Sequence, residues 1–142
     1  MTIQAVLGGK GREVISVTAQ TIVRDAVALL AEKRIGAVPV MEDGAVVGIF
    51  SERDVIIGLA QQGAASLDRT VGEVMTAPAI TVGQGDSVLA ALSLMTRRRV
   101  RHLPVVEANG VLGFVSIGDL VKYRIEQIEA EAQAMRAYIQ QV

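Results

Sequence analysis

The chain contains one pattern twice at a constant separation, and this duplication restricts the fold more than any other feature. Residues 48–54 have the sequence GIFSERD, and residues 113–119 have the sequence GFVSIGD. When residues 14–56 are aligned with residues 79–121 at an offset of 65, no gap is needed and 13 of 43 positions are identical. A chance match would not keep register over this length, so we predict two copies of one structural unit.

Each copy is predicted to be a β-α-β-β-α unit. Short apolar runs at 14–17 and 79–82 indicate strands, and residues 22–34 and 87–99 carry apolar side chains at helical spacing. Two more strands joined by a turn follow in each copy, and the first of them contains one proline. The repeated motif then begins the last helix.

Two such units, each with one exposed sheet face, should pack as a pseudo-two-fold pair in an α/β fold. We predict boundaries at 1–65 for the first repeat, 66–125 for the second and 126–142 for a helical extension.

Residues next to the predicted helices suggest where these begin. Residues 2–7 and 70–75 each look like one helical turn, beginning at Thr2 and Thr70, with Glu73 completing a capping box on Thr70. The glycine-rich stretch GGKGR at 8–12 is predicted to be a flexible loop. Thr21 and Asp86 stand where the N-caps of the two longer helices are expected.

The last helix is predicted to run from about Gly118 toward Val142 with a heptad of apolar residues. These lie at Val121, Ile125, Ile128, Ala132, Met135, Ile139 and Val142. A seam of this kind favours packing against another helix, most simply in a homodimer. The alternative is that the helix folds back on its own domain.

Composition excludes several classes of protein. The formal net charge of −1 argues against a general polyanion binder, and two Phe and two Tyr leave few stacking surfaces for nucleic acid. There is no cysteine and only His102, so thiolate metal sites and histidine clusters are excluded. No stretch is long and apolar enough for a membrane span, and we expect a protein of the reducing cytoplasm.

The Ser-x-x-Asp pairs, Ser51 with Asp54 and Ser116 with Asp119, have two explanations. Such a pair caps a helix without any further role, which is worth about 1 kcal/mol. However, a glycine precedes each serine, and Gly48 and Gly113 are expected to let a ligand approach the strand backbone. In addition, the N-termini of helices attract anions. A hydroxyl and a carboxylate at this point suit a ribose and a phosphate.

A run of basic residues that could bind a phosphate is found in the second copy and is not repeated in the first, where Glu32, Lys33 and Arg34 are aligned with its first three residues. The helix of the second copy ends in Arg97, Arg98 and Arg99, followed by Arg101 and His102, whereas Gly36 and Ala37 occupy the positions equivalent to the last two. Arginines at a helix end also complement its dipole without binding anything. No nucleophile and base pair is found, and GGKGR lacks the spacing of a phosphate-binding loop, so we expect no catalysis.

The complete pattern resembles a tandem pair of CBS domains, also called a Bateman module, over about residues 2–125. The resemblance rests on two copies of apolar-x-Pro-Val, a turn, and apolar-x-Gly-apolar-apolar-Ser-x-x-Asp. It implies a pair of repeats, often dimerised, with two clefts that hold adenosine ligands such as AMP, ADP, ATP, NAD or S-adenosylmethionine. Binding in this family regulates an attached or separate effector protein.

The resemblance also implies residue roles: Asp54 and Asp119 would bind ribose hydroxyls, with Ser51 and Ser116 near ribose or phosphate. The cleft at Asp54 would further contain Ile49, Ala37, Ile80, Thr81, Val100 and Arg101. The cleft at Asp119 would further contain Phe114, His102, Ile15, Ser16, Ile35 and Gly36. Because Gly36 and Ala37 replace a basic pair, the two clefts are expected to differ in phosphate affinity.

The sequence therefore favours a stand-alone, non-enzymatic adenine-nucleotide sensor, with AMP as the first candidate ligand, that signals to an unknown effector protein. The alternative is a structural or interaction module in which the Ser-x-x-Asp pairs are only helix caps.

Overall fold

The structure is a computed structural model that describes residues 1–11, 13–108 and 110–141. Its elements in chain order are α1 (Ile3–Lys10), β1 (Val17–Thr18), α2 (Val23–Lys33), β2 (Ala37–Glu42), β3 (Ala45–Ser51), α3 (Glu52–Gln62), a 3-10 helix (Gly63–Asp68), α4 (Val71–Val74), α5 (Val88–Arg98), β4 (His102–Glu107), β5 (Gly110–Ser116) and α6 (Ile117–Gln140). Both copies contain an entry helix, a middle helix, a hairpin and a final helix in this order, and the predicted α/β repeat is confirmed.

Two antiparallel hairpins form the centre of the repeats. β2 pairs with β3, β4 pairs with β5, and each pairing shifts register at the same place, after Val40 and after Val105. The first hairpin turns through Asp43 and Gly44, which have φ angles of 50° and 79°. Both angles are positive, as the tight turn between twisted strands requires, and Asp-Gly adopts them readily.

The first strand of each repeat is shorter than predicted. Of the run 14–17, only Val17 belongs to β1, which pairs in parallel with β2. Of the run 79–82, only Val82 makes a bridge, to Val105. β-branched residues favour an extended chain, but they do not determine whether a neighbouring strand comes within hydrogen-bonding distance.

The predicted N-caps of the two middle helices are one residue too early. The N-cap positions are Ile22 and Ser87, and the Ser87 hydroxyl accepts the Ala90 N–H. Thr21 and Asp86 instead accept hydrogen bonds from the backbone N–H groups of Thr18 and Gly83. Their side chains therefore close the preceding turns, which is the other common use of a short polar side chain.

The glycine-rich stretch after residue 7 was predicted to be a loop, and this is wrong for its first three residues. α1 continues through Gly8, Gly9 and Lys10 and ends at Gly11, whose φ is 97°. Arg12 lies outside the described residues. Two glycines weaken a helix by about 1 kcal/mol each, so packing of α1 on the rest of the molecule must compensate.

The helix that begins each repeat packs in the core of the other repeat. Ile3, Val6 and Leu7 of α1 belong to the cluster that contains Val88 and Leu103, whereas Val71 of α4 joins the cluster of Val23 and Phe50. Each of the two hydrophobic clusters therefore contains side chains from both repeats. Backbone bridges fix this exchange reciprocally, between Thr2 and Ser87 and between Thr70 and Ile22.

The glycines of the repeated motif make room for these exchanged segments. A Cβ on Gly48 would lie 2.7 Å from Met75 Sδ and 2.9 Å from the Thr76 carbonyl oxygen, and a Cβ on Gly113 would lie 2.5 Å from Leu7 Cδ2. The expectation that these glycines admit a ligand is therefore wrong, because side chains of the protein itself occupy the space.

α6 is the longest helix and continues past the body of the second repeat. Its 24 residues span about 36 Å. Leu120 is buried, whereas Ile125, Ile128, Met135 and Ile139 are exposed; Val142 lies outside the described residues. None of the helices within residues 1–11, 13–108 and 110–141 has the length and hydropathy of a bilayer-spanning segment.

Candidate functional site

A cavity of about 400 Å³ lies between the two repeats beside the first Ser-x-x-Asp motif. The residues that line it are Gly36, Ile49, Ser51, Glu52, Arg53, Ile56, Thr76, Pro78, Ala79, Ile80, Arg99, Val100, Arg101 and His102. The volume falls within the range of pockets that hold small organic ligands.

The wall of this cavity is apolar and comes from both repeats. Ile49 belongs to β3 and Ile56 to α3, while Ile80 and Val100 come from the segments before and after α5. The chain reaches the cavity from the second repeat because residue 76 pairs with β3: the backbone groups of Ile49 and Thr76 exchange two hydrogen bonds of 2.9 Å. A flat apolar group such as a nucleobase fits between walls of this kind.

Asp54 lies behind the cavity wall and is only 6 % exposed. Its Oδ2 accepts the Ser51 N–H at 2.8 Å and lies 3.3 Å from the Ser51 hydroxyl, while its Oδ1 accepts the Thr76 hydroxyl at 2.9 Å. Asp54 therefore caps α3, as the structural explanation requires, and it also links α3 to the second repeat. Ser51 itself lines the cavity.

Three arginines face the same cavity. Arg53 is on the first turn of α3, and Arg99 and Arg101 lie in the connection from α5 to β4. Arg99 ends α5 with a φ of 55°, like Arg34 at the end of α2, so the chain turns sharply there in both repeats. One carboxylate, Glu52, is also in the lining. The excess of positive charge suits a phosphate.

The second Ser-x-x-Asp motif has a different environment, because Lys10 of α1 reaches it. Lys10 Nζ lies 2.6 Å from Asp119 Oδ2 and donates to the Phe114 carbonyl oxygen at 2.5 Å. Ser116 N–H also donates to Asp119 Oδ2, and the Ser116 hydroxyl accepts the Asp119 N–H. The capping box of α6 is complete, and the Asp119 carboxylate also forms an ion pair with Lys10 of α1.

These contacts lower the pKa of Asp119. Burial acts to raise the pKa of this carboxyl, but the Lys10 ammonium and the Ser116 N–H together outweigh burial. Asp119 is therefore ionised at neutral pH. An ionised carboxylate accepts hydrogen bonds and donates none, so it suits a ligand that presents hydroxyl groups.

His102 lies between the two motifs. Its ring stacks on Phe114 with the centroids 5.6 Å apart, and it also lines the cavity beside Ser51. Burial, and then the nearby Lys10 charge, lower the pKa of the imidazole, so it is neutral at pH 7. A neutral imidazole serves as a flat contact surface or hydrogen-bonding group but does not attract a phosphate as a cation.

The structure brings some of the predicted residues together and separates others. Ile49, Ser51, Ile80, Val100 and Arg101 line the first cavity, as the resemblance implied. His102 and Gly36, assigned to the second cleft, line it as well. Thr81 is exposed, and Ala37 is buried and outside the lining.

On the Asp119 side, Ser116 and Phe114 lie with Asp119. Ile15 and Ile35 pack against the first hydrophobic core, and Ser16 is exposed.

Sequence reasoning missed Lys10, Thr76 and Arg53. Lys10 and Thr76 reach the motifs through the exchange of helices, for which the repeat pattern contains no signal. Arg99 was named with the arginine run as a candidate cation but was assigned to neither cleft, and it lines the cavity. Among the described residues, no three His, Asp or Glu side chains are placed to hold a metal ion.

Two α/β repeats with exchanged helices and a ligand-sized cavity between them define a tandem repeat module with a central cleft. The CBS domain family matches residues 11–60 and 71–126, and the chain belongs to this family. The predicted resemblance is thus confirmed.

Relatives agree with this assignment in sequence and structure. The chain is 37% identical to the mitochondrial CBS domain-containing protein CBSX3 of Arabidopsis thaliana, over 98% of this chain and 72% of that protein. The crystal structure of ATU1752 from Agrobacterium tumefaciens, a CBS-domain containing protein, is similar with a TM-score of 0.84 and 38% identity, over 87% of this chain and 99% of that one. PAE2072 from Pyrobaculum aerophilum, solved in complex with AMP, has a TM-score of 0.73 and 29% identity, over 84% and 89%.

Proposed function

We propose that this CBS pair is a regulatory module without catalytic activity that binds an adenine nucleotide, AMP in the first instance, in the cavity beside Ser51. The observation that carries the proposal is the cavity itself, which joins apolar walls from both repeats to three arginines. The complex of the relative PAE2072 with AMP supports an adenosine ligand of this size.

In the proposed complex, the adenine lies between Ile49, Ile80 and Val100, and the phosphate faces Arg99 and Arg101. The ribose lies beside Ser51 and approaches Asp54. A carboxylate has about four acceptor positions, and Asp54 has three contacts from Ser51 and Thr76, which leaves capacity for a ribose hydroxyl.

Binding regulates by acting on both repeats at once. Because the cavity wall combines residues of both repeats, a nucleotide stabilises one relative arrangement over others by the difference in its affinity for them. We propose that an effector protein, in a cytoplasmic setting, recognises this arrangement. ADP, ATP, NAD and S-adenosylmethionine are the alternative ligands. Their affinities should be compared with that of AMP in the measurements described below.

The role of the arginines is tested by R101Q, with R97Q as the matched control. Both residues are exposed arginines of the same run, but only Arg101 lines the cavity. Loss of a hydrogen bond to a charged group should weaken AMP binding about tenfold in R101Q and leave it unchanged in R97Q. Isothermal titration calorimetry measures both. Equal affinities in the two variants would show that the phosphate does not bind at this rim.

The interaction-module alternative has a specific observation in its favour, because Asp54 and Asp119 each accept the N–H of the preceding serine and cap a helix. Nucleotide copurification distinguishes the two functions. The chain has no Trp and two Tyr, so a bound adenine would dominate the absorbance at 260 nm. Protein that carries no nucleotide and shows no thermal shift with any adenine nucleotide would favour the interaction module.

We also propose that the chain forms a homodimer through α6. Ile128 and Met135 of its apolar seam are 48 % and 60 % exposed, and this part of the helix extends beyond the core. In a parallel pair, each g position lies opposite the following e position of the other helix. That arrangement places Arg124 of one chain opposite Glu129 of the other, and Glu131 opposite Arg136, so both pairs have opposite charges.

A further inference from the structure

The strongest feature that the proposed function leaves unexplained is the ion pair between Lys10 and Asp119. It joins the exchanged helix α1 to the second motif at 2.6 Å, and both side chains are partly exposed, 36 % for Lys10 and 27 % for Asp119. Thr2 and Leu7 of α1 correspond to Thr70 and Met75 of the second entry segment, an offset of 68, so the position equivalent to Lys10 is Pro78. The ammonium is therefore a feature of one cleft only, and a general role in the fold does not require it.

We propose that Lys10 makes the Asp119 cleft selective for phosphorylated over unphosphorylated adenosine ligands. This inference rests on the proposed function, in that it assumes an adenosine ligand whose ribose contacts Asp119. Lys10 is then a specificity-determining residue.

The first step of the argument is competition for one oxygen. Asp119 Oδ2 already receives both the Lys10 ammonium and the Ser116 N–H. A ribose diol binds a carboxylate through both of its oxygens, so it displaces the ammonium while the capping bond from Ser116 remains.

The second step concerns the displaced ammonium. Asp119 was its anionic partner, and the neighbouring His102 offers no negative charge. An unphosphorylated nucleoside takes the carboxylate away from Lys10 and gives nothing in return. A nucleotide brings a phosphate close to its ribose, which provides a new partner for the same ammonium. The exchange thus favours AMP and disfavours adenosine at this cleft.

The test compares AMP with adenosine on wild-type protein, K10M and the control K33M, which removes an exposed lysine at the end of α2. Titrations followed by ¹H–¹⁵N NMR resolve the clefts, because the amides of Ser116 and Asp119 report on the second and the amide of Ser51 on the first. We expect the wild-type second cleft to prefer AMP by about tenfold or more. In K10M, adenosine should bind more tightly and AMP more weakly, while K33M behaves as wild type.

Opposite changes for the two ligands separate this role from a structural one, because a distorted cleft would weaken both. The inference alone is overturned if K10M shifts both affinities in the same direction or neither, or if Ser51 responds to AMP while Ser116 and Asp119 respond to neither ligand. If no amide at either motif responds in any variant, the proposed function fails as well. K10Q, which keeps a polar side chain at the helix end, replaces K10M if the latter does not fold.

Discussion

His102, the only histidine of the chain, lies against Phe114 and close to Lys10, and it also lines the cavity beside Ser51. Burial and the Lys10 charge lower its pKa, whereas Asp119 and Glu52 act in the opposite direction. We predict that the imidazole titrates below pH 6.5 in the folded protein and that K10M raises its pKa. One-dimensional ¹H NMR of the single imidazole signal measures this. A pKa at or above 6.5, or one unaffected by K10M, would contradict the described position of Lys10.

The same shift has a consequence for stability. Since the pKa of His102 is lower in the folded state than in the unfolded chain, the unfolded chain binds more protons in the window just below pH 6.5. The contribution of His102 is therefore fully present above that pH and is lost as the pH falls through the folded-state pKa. The pKa of Asp119 is also lowered in the folded state. Its contribution to stability is therefore likewise lost as the pH falls, but in more acidic solution.

At the scale of residues, the sequence predicted the motif well and its surroundings poorly. Ser51, Ile80, Val100 and Arg101 were assigned to one cleft, and they do line one cavity. The pattern could not show that Thr76 would donate to Asp54. A repeat describes what lies within each copy, whereas this contact comes from the other copy.

Among the elements, α6 has the apolar surface with the most direct test. We predict that I128K weakens self-association by about tenfold or more, because it places a charge in the seam of a paired helix. A130K is the matched control, since Ala130 lies on the same helix outside the seam. Sedimentation equilibrium of the three proteins measures the dissociation constants. Equal association of I128K and A130K would place the dimer contact elsewhere.

Helices and hairpins were predicted more accurately than the strands at the start of each repeat. Apolar spacing fixes α2 and α5 to within one residue at either end, because one helix face must be buried along its whole length. The runs at 14–17 and 79–82 have strand-like composition, but few of their backbone groups find a ladder partner. α1 continued through two glycines because Leu7 and Lys10 find partners in the second repeat.

For the whole molecule, the exchange of helices makes the two repeats depend on each other. We predict that residues 66–142 do not fold alone, because they lack Ile3, Val6 and Leu7 of their own core. Burial of three such side chains contributes about 5–9 kcal/mol, comparable to the stability of a small domain. Circular dichroism of this fragment should show no cooperative thermal transition.

Co-expression with residues 1–65 should restore that transition by supplying α1. A chain truncated after Ile128 is the control, since it retains every residue of both cores and should melt cooperatively. Cooperative melting of residues 66–142 alone would show that α1 is dispensable for the second core. The predicted boundaries at 65 and 125 divide the sequence into repeats. The hydrophobic cores do not follow these boundaries, because each core includes the entry helix of the other repeat.

The exchange also sets the order in which the protein can be completed during synthesis. The first core needs no residue beyond Val71 to Met75, so it can close while the second repeat is still being made. α1, although it precedes the first core in the sequence, has its partners at Val82 to Leu120 and must wait until these residues have been synthesised. The Lys10 contact with Asp119 therefore forms only after the second repeat has been synthesised, so this contact forms later than the first core.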